Sequence, residues 1–251
     1  MEVKLKKSLV SNKGERAIVG HGWFRLLLAI SLTTTATVFA DNFTSLSHLT
    51  PAPGAPQRLT RRVQGQKLIS TQLPAVQIKF DKGFKYAGGQ LFLLYEVALA
   101  EQHFFVDADK TGRIRRLYWI QFEGYVSNNA YTYHYDSTKT VDIGGLTFVA
   151  DAFARSVQAN TGRAESDGSR AQAFLKSKGY RMNSEILMQR LVHLVDEAKR
   201  NELMIIYMED LSGTGLTAAD LGKNGAAAAR WDEISKGLLI RAVRGITIST
   251  N

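Results

Sequence analysis

Five ionisable side chains stand where acid–base chemistry could be done. Glu96 and Glu123 lie in apolar, aromatic-rich runs, Glu209 and Asp210 close the run Leu203–Met208, and His193 sits amid Leu187–Val195. Two carboxylates in one site can divide the work of general acid and general base, because crowding like charges raises one pKa, and a histidine beside them can carry the proton. Together they spell a hydrolase. The opposing view of each is plainer: Glu96 and Glu123 as charges on a solvated strand face, Glu209 and Asp210 as strand-end solvation, and His193 with Arg190 and Glu197 as a surface ion-pair ladder.

A second group of residues has the chemistry of binding. Asp109-Lys110-Thr111-Gly112 has the composition of a type I turn closed by a glycine at positive φ, which predicts a long hairpin. With Ala108 opposite Arg113, Glu96 faces Tyr125, Ala98 faces Glu123, Glu101 faces Ile120 and His103 faces Tyr118. Side chains alternate, so one face carries Val97, Leu99, Phe105, Ile114, Ile120 and Phe122 and should meet the core, interrupted by Glu101, His103 and Arg116. The other face collects Glu96, Gln102, Trp119, Gln121, Glu123 and Tyr125 around two alanines. Small residues leave room, aromatics supply a stacking wall, and amides and carboxylates orient a ligand, so this face is the expected binding groove. Tyr131, Tyr133 and Tyr135 alternate beyond it and are expected to pack.

Other motifs fail on inspection. Asp107, Asp109, Thr111 and Gly112 match the first half of a calcium loop, but Tyr118 occupies the position of the bidentate glutamate. The G-x-G-x-x-A string from Gly213 to Ala218 has acidic Glu209 and Asp210 before it, where a pyrophosphate would be repelled. The chain has no cysteine, no H-E-x-x-H and no G-x-S-x-G. Neither a metal site nor a cofactor is expected.

The elements that must position these residues follow from periodicity. Strands are expected at Val76–Phe80, through Gln90–Ala108 and Arg113–Val126, at Leu203–Met208 and, as a closing edge, at Ile246–Ser249. Helices are expected at Leu146–Val157, Arg170–Lys178, Ser184–Arg200 with Asn183 as its cap, Thr217–Leu221 and Ala226–Ile240. The order predicts an α+β fold: a mainly antiparallel sheet built on the long hairpin, packed by three or four helices on one face.

Residues 1–40 read as an export leader. Six basic residues from Lys4 to Arg25 precede the uncharged apolar run Leu26–Ala40, and Val38 and Ala40 supply the small residues of a cleavage site. The rival is a signal anchor, since the run from Trp23 to Ala40 approaches the ~20 residues that span a bilayer. All four prolines fall between residues 51 and 74, so 41–74 is expected to be a linker and 75–251 a single domain. Arg58, Arg61, Arg62 and Lys67 make the linker's end basic, either solvated or in touch with an anionic envelope surface. Leaving out residues 1–40 lowers the net charge from +9 to +5, which calls for no nucleic-acid partner. The expectation is an extracytoplasmic binding or interaction protein with a small molecule or an envelope protein as partner, and membrane contact only through residues 23–40 if uncleaved. An exported hydrolase and a structural envelope protein are the alternatives.

Overall fold

A computed structural model describes residues 58–157 and 165–250. The export leader and most of the expected linker, residues 41–57, lie outside them. Two antiparallel sheets make up the body. The smaller contains β1 (Arg62–Gln64), β2 (Lys67–Thr71), β3 (Ala75–Phe80) and β11 (Ile246–Thr250), in that order. The larger contains β4 (Lys85–Leu94), β5 (Ala98–Ala108), β6 (Ile114–Tyr125), β7 (Thr140–Ile143), β8 (Leu146–Ser156), β9 (Glu185–Leu194) and β10 (Asn201–Asp210), in the order β4-β5-β6-β10-β9-β8-β7. Among the described residues two α-helices accompany them, α1 (Asp167–Ser177) and α2 (Trp231–Arg244). Among the described residues, neither is long and apolar enough to cross a membrane.

The expectation of three or four helices on one face is therefore overturned: of the described residues, strand makes up 48 % and helix 17 %. Two of the expected helices are the strands β8 and β9. In β8 the apolar residues Leu146, Val149, Ala150, Phe153 and Ala154 fall at helical spacing; in β9 the reason lies in burial. A strand covered on both faces reads as a continuous apolar run, and such a run satisfies the helical spacing by default. In β9 the odd residues Leu187 and Leu191 pack towards the smaller sheet, while the even residues Ile186, Met188 and Val192 pack into a second core on the opposite face. Asn183 caps nothing; its amide donates to the Ile114 carbonyl and its oxygen accepts from Arg113. The expected short helix at Thr217–Leu221 is a turn in which the Asp220 carboxylate accepts from the Thr217 amide and hydroxyl.

Covering elements lie on both sides of the large sheet. The smaller sheet and α2, through Leu238 and Ala242, pack on the face of Phe105, Tyr118 and Ile205, where the Phe80 and Phe105 rings stack at 3.7 Å. Helix α1, through Ala171 and Leu175, packs on the face of Phe104, Trp119 and Ile206. Ser166 caps α1 by accepting from the Ser169 amide at 3.1 Å.

The hairpin turn forms as its composition predicts. Asp109 accepts from the Thr111 amide, the Thr111 hydroxyl and the Arg113 amide, and Gly112 adopts φ 80°. Its register differs by two residues: Ala98 faces Tyr125, Ala100 faces Glu123, Glu101 faces Phe122 and His103 faces Ile120. One residue of the shift comes from a wider loop and one from a bulge beside Asp107. Because the shift is even, the side chains of β5 up to Asp107 and of β6 from Arg116 keep their expected faces; Ile114, beyond the bulge, turns to the opposite face and joins the core of Phe104, Leu117 and Trp119. Residues 62–71, expected in the linker, are the strands β1 and β2, so the folded body begins before residue 75.

Candidate functional site

The expected groove is filled. Gln102 and Gln121 are fully buried, Glu123 is 3 % exposed and Trp119 5 %. The four form neither an open groove nor a solvated sheet face. Along that face runs a chain of hydrogen bonds. The Gln90 amide donates to Gln102 at 2.7 Å, Gln102 donates to Gln121 at 2.8 Å and to the Asp167 carbonyl of α1, and Gln121 donates to Glu123. A phenol completes it, Tyr133 Oη donating to Glu123 Oε1 at 2.9 Å. Directly across from Glu123 on β10 stands Glu202, 1 % exposed, which accepts from the Tyr135 phenol. Burial, and then the nearby Glu123 and Glu202, push the Tyr133 phenol far above its ordinary value, and burial with Glu202 does the same at Tyr135. Both stay protonated donors. Tyr125, the proposed stacking wall, is itself stacked on Tyr133 at 4.4 Å.

This cluster holds structure together. A buried carboxyl group with its donors in place is stable, and one stripped of a donor is costly. Tyr133→Phe should therefore lower the unfolding free energy by about 1–3 kcal/mol in urea titration. An unchanged midpoint would mean that Glu123 does not depend on that phenol.

The remaining candidates do not converge. Glu96 is exposed in the β4–β5 turn at φ 60°, away from any partner on β6. Glu209 is held by Arg241 through Nε at 2.7 Å and Nη2 at 2.8 Å, and by the Tyr207 phenol at 2.6 Å. Asp210 caps the turn at Ser212 and pairs with Arg113 at 3.2 Å. His193 bonds the Thr147 carbonyl from β9, and its expected neighbour Arg190 pairs instead with Asp151. Seven residues of one strand separate Glu202, beside Glu123, from Glu209, a distance of roughly 24 Å. Among the described residues no group of three His, Asp or Glu could hold a metal ion. Asp107, first in the calcium-like string, is bound by Arg115 and Arg116.

A cluster that sequence reasoning treated only as an interruption of the core face lies between the two sheets. Glu101, 1 % exposed, accepts from His103 Nε2 at 2.9 Å, the Thr60 and Arg61 amides at 3.1 and 2.9 Å, and Arg61 Nη1 at 3.1 Å. His103 Nδ1 meets the Tyr86 phenol at 3.0 Å. In a neutral imidazole that donates from Nε2, Nδ1 is the acceptor, so Tyr86 donates to it. Burial acts to raise the Glu101 pKa, but the His103 bond, the Arg61 charge, the Thr60 hydroxyl and the Arg61 amide outweigh it and hold the group at about 2. Burial, and then the Glu101 charge, push Tyr86 up to about 12.

Hydroxyl, imidazole and carboxylate in hydrogen-bonded sequence follow the logic of a nucleophilic triad. The hydroxyl here is a phenol made harder to ionise, and the cleft beside Glu101 has about 10 Å³ for a water-sized occupant, room for about one water. Its lining, which includes Thr60, Arg61, Leu99, Glu101 and Phe122, contains neither Tyr86 nor His103. What the cluster does is fasten residues 60 and 61, and with them β1, to β5. Gly89 makes space for it: a Cβ there would lie 2.9 Å from His103 Nδ1 and 2.6 Å from the Gln102 carbonyl. The signal for this cluster was present, since Glu101 and His103 at alternating positions of a buried strand must find partners. The partners Arg61 and Tyr86 come from distant strands and carry no such mark. Comparison with family models, curated proteins and solved structures finds no match for this chain.

Proposed function

We propose that this chain is a non-enzymatic, extracytoplasmic interaction protein, delivered or anchored by residues 1–40, whose two-sheet body is a rigid scaffold that meets its partner with its outer surface. One observation carries this reading: Glu96, Glu123, His193, Glu209 and Asp210 are dispersed over separate ends of the molecule, and all but Glu96 are engaged within it. Acid–base catalysis needs such groups within reach of one reacting atom. The basic leader and the apolar run Leu26–Ala40 support export. The Tyr86–His103–Glu101 relay is the one feature that favours the hydrolase instead.

The test has two arms. A reporter enzyme that is active only outside the cytoplasm, fused at the C-terminus, should be active with the full leader and inactive when the run 26–40 is replaced by polar residues. Purified full-length chain should show no turnover of ester, glycoside, phosphoester or peptide substrates that is lost in Tyr86→Phe or Glu209→Gln. Turnover abolished by either substitution, with the fold intact, would replace the proposal with the hydrolase.

A further inference from the structure

The four strands of the smaller sheet contain Arg62, Lys67 and Lys79 and neither Asp nor Glu. Lys67 of β2 stands directly opposite Lys79 of β3, and Arg62 lies in the adjacent cross-strand row. All three are exposed, on the face opposite to buried Leu68, Ile78 and Ile248. Among the described residues no carboxylate pairs with any of them. Arg58, Lys82 and Lys85 are exposed as well, and Asp81 is the one acidic residue between positions 58 and 85. Like charges set directly across a strand pair oppose folding, so this face is most stable with an anionic surface over it.

The chemistry of the face selects among anionic partners. Single-stranded nucleic acid is bound through aromatic stacking platforms, and the outer face has no aromatic residue. A bilayer of anionic headgroups asks only for a broad cationic surface. The sheet is also the first part of the body after the apolar run. Only 17 residues separate Ala40 from Arg58 in the chain, a reach of at most roughly 60 Å. Such a tether makes docking intramolecular and lets a few charges suffice.

We propose that the outer face of the β1–β2–β3–β11 sheet docks on the anionic headgroup surface of the membrane that residues 23–40 engage, held there through Arg62, Lys67 and Lys79. This names the partner of the interaction protein proposed above and rests on that reading.

The chain has no cysteine, so Thr247→Cys provides one attachment point for a fluorophore on the docking face and Lys110→Cys provides one on the β5–β6 turn. The full-length chain is reconstituted in vesicles of phosphatidylcholine alone or mixed with phosphatidylglycerol, each carrying a headgroup-linked quencher. The probe at position 247 should be quenched in the mixed vesicles, recover at high salt and stay bright in phosphatidylcholine; the probe at 110 should stay bright in both. Lys67→Gln and Lys79→Gln should each weaken docking about fivefold. Their melting temperatures should hold or rise, since each removes the like-charge opposition. Equal quenching in both vesicle types, or quenching insensitive to both substitutions, overturns the proposal. So does a response of the 247 probe to added DNA without anionic lipid, which would make nucleic acid the partner. An unquenched probe on a chain whose external reporter is active removes the membrane docking and leaves the interaction reading standing.

Discussion

Glu101→Gln should cost about 3–5 kcal/mol of unfolding free energy at neutral pH, the cost of leaving a buried cation without its counter-charge. Arg61 is 7 % exposed, its guanidinium lies 4.1 Å over the Phe122 ring, and burial already lowers its pKa against the pull of Glu101. Replacing both partners with apolar residues, Glu101→Leu with Arg61→Met, should cost less than the single change, because no charge is then stranded. Equal costs would show that packing rather than charge governs the site.

The pH dependence has a definite sign. A carboxyl group whose folded-state pKa lies below its unfolded value adds stability above the unfolded value and loses it as the pH falls. For Glu101 the window runs from about 4.5 down to about 2 and carries about 3 kcal/mol. Urea midpoints of the wild-type chain should drop across that window, and those of Glu101→Gln should drop less. Parallel curves would remove Glu101 as the source of the acid sensitivity.

Phe105→Ala should be as damaging, at about 3–5 kcal/mol, because the ring is fully buried and stacked on Phe80 at the junction of the two sheets. Its position specifies where the loosening appears. Amide exchange should quicken in β3 and β11, whereas Phe104→Ala, which removes a ring stacked on Phe174 of α1, should quicken exchange in α1. Neighbouring residues on one strand would then report on two different cores. If both changes loosened the same elements, the large sheet would not separate two cores.

Strands β3 and β11, whose faces differ in burial, were legible; so was β10, covered on both faces but written as the short apolar run Leu203–Met208, as were the Asp109–Gly112 turn and, apart from Ile114, the division of the β5–β6 side chains between two faces. Helix α1 was legible too, with its boundaries displaced by a few residues. Strand β9 was misread as a helix because both its faces are covered, which erases the alternation that marks a strand, and β8 because Leu146, Val149, Ala150, Phe153 and Ala154 fall at helical spacing. Gln102, Trp119, Gln121 and Glu123 were assigned to one face together, and they do share it. That α1 and the 131–135 segment seal this face, and that Glu202 completes it, could not be read from those residues.

By itself the sequence determined what is local: the absence of cysteine, the uncharged run from Leu26 to Ala40, the glycine that closes the hairpin turn, and the parity that places alternate side chains on opposite faces. Only the tertiary structure decided which faces meet water, that Arg61 leaves the basic segment to pair with Glu101 while Arg62 and Lys67 stay outside, and that the acid–base candidates never meet. Parity and turn chemistry are settled by neighbours in the chain. Burial and charge pairing are settled by elements tens of residues away, whose approach depends on the free energy of the whole fold.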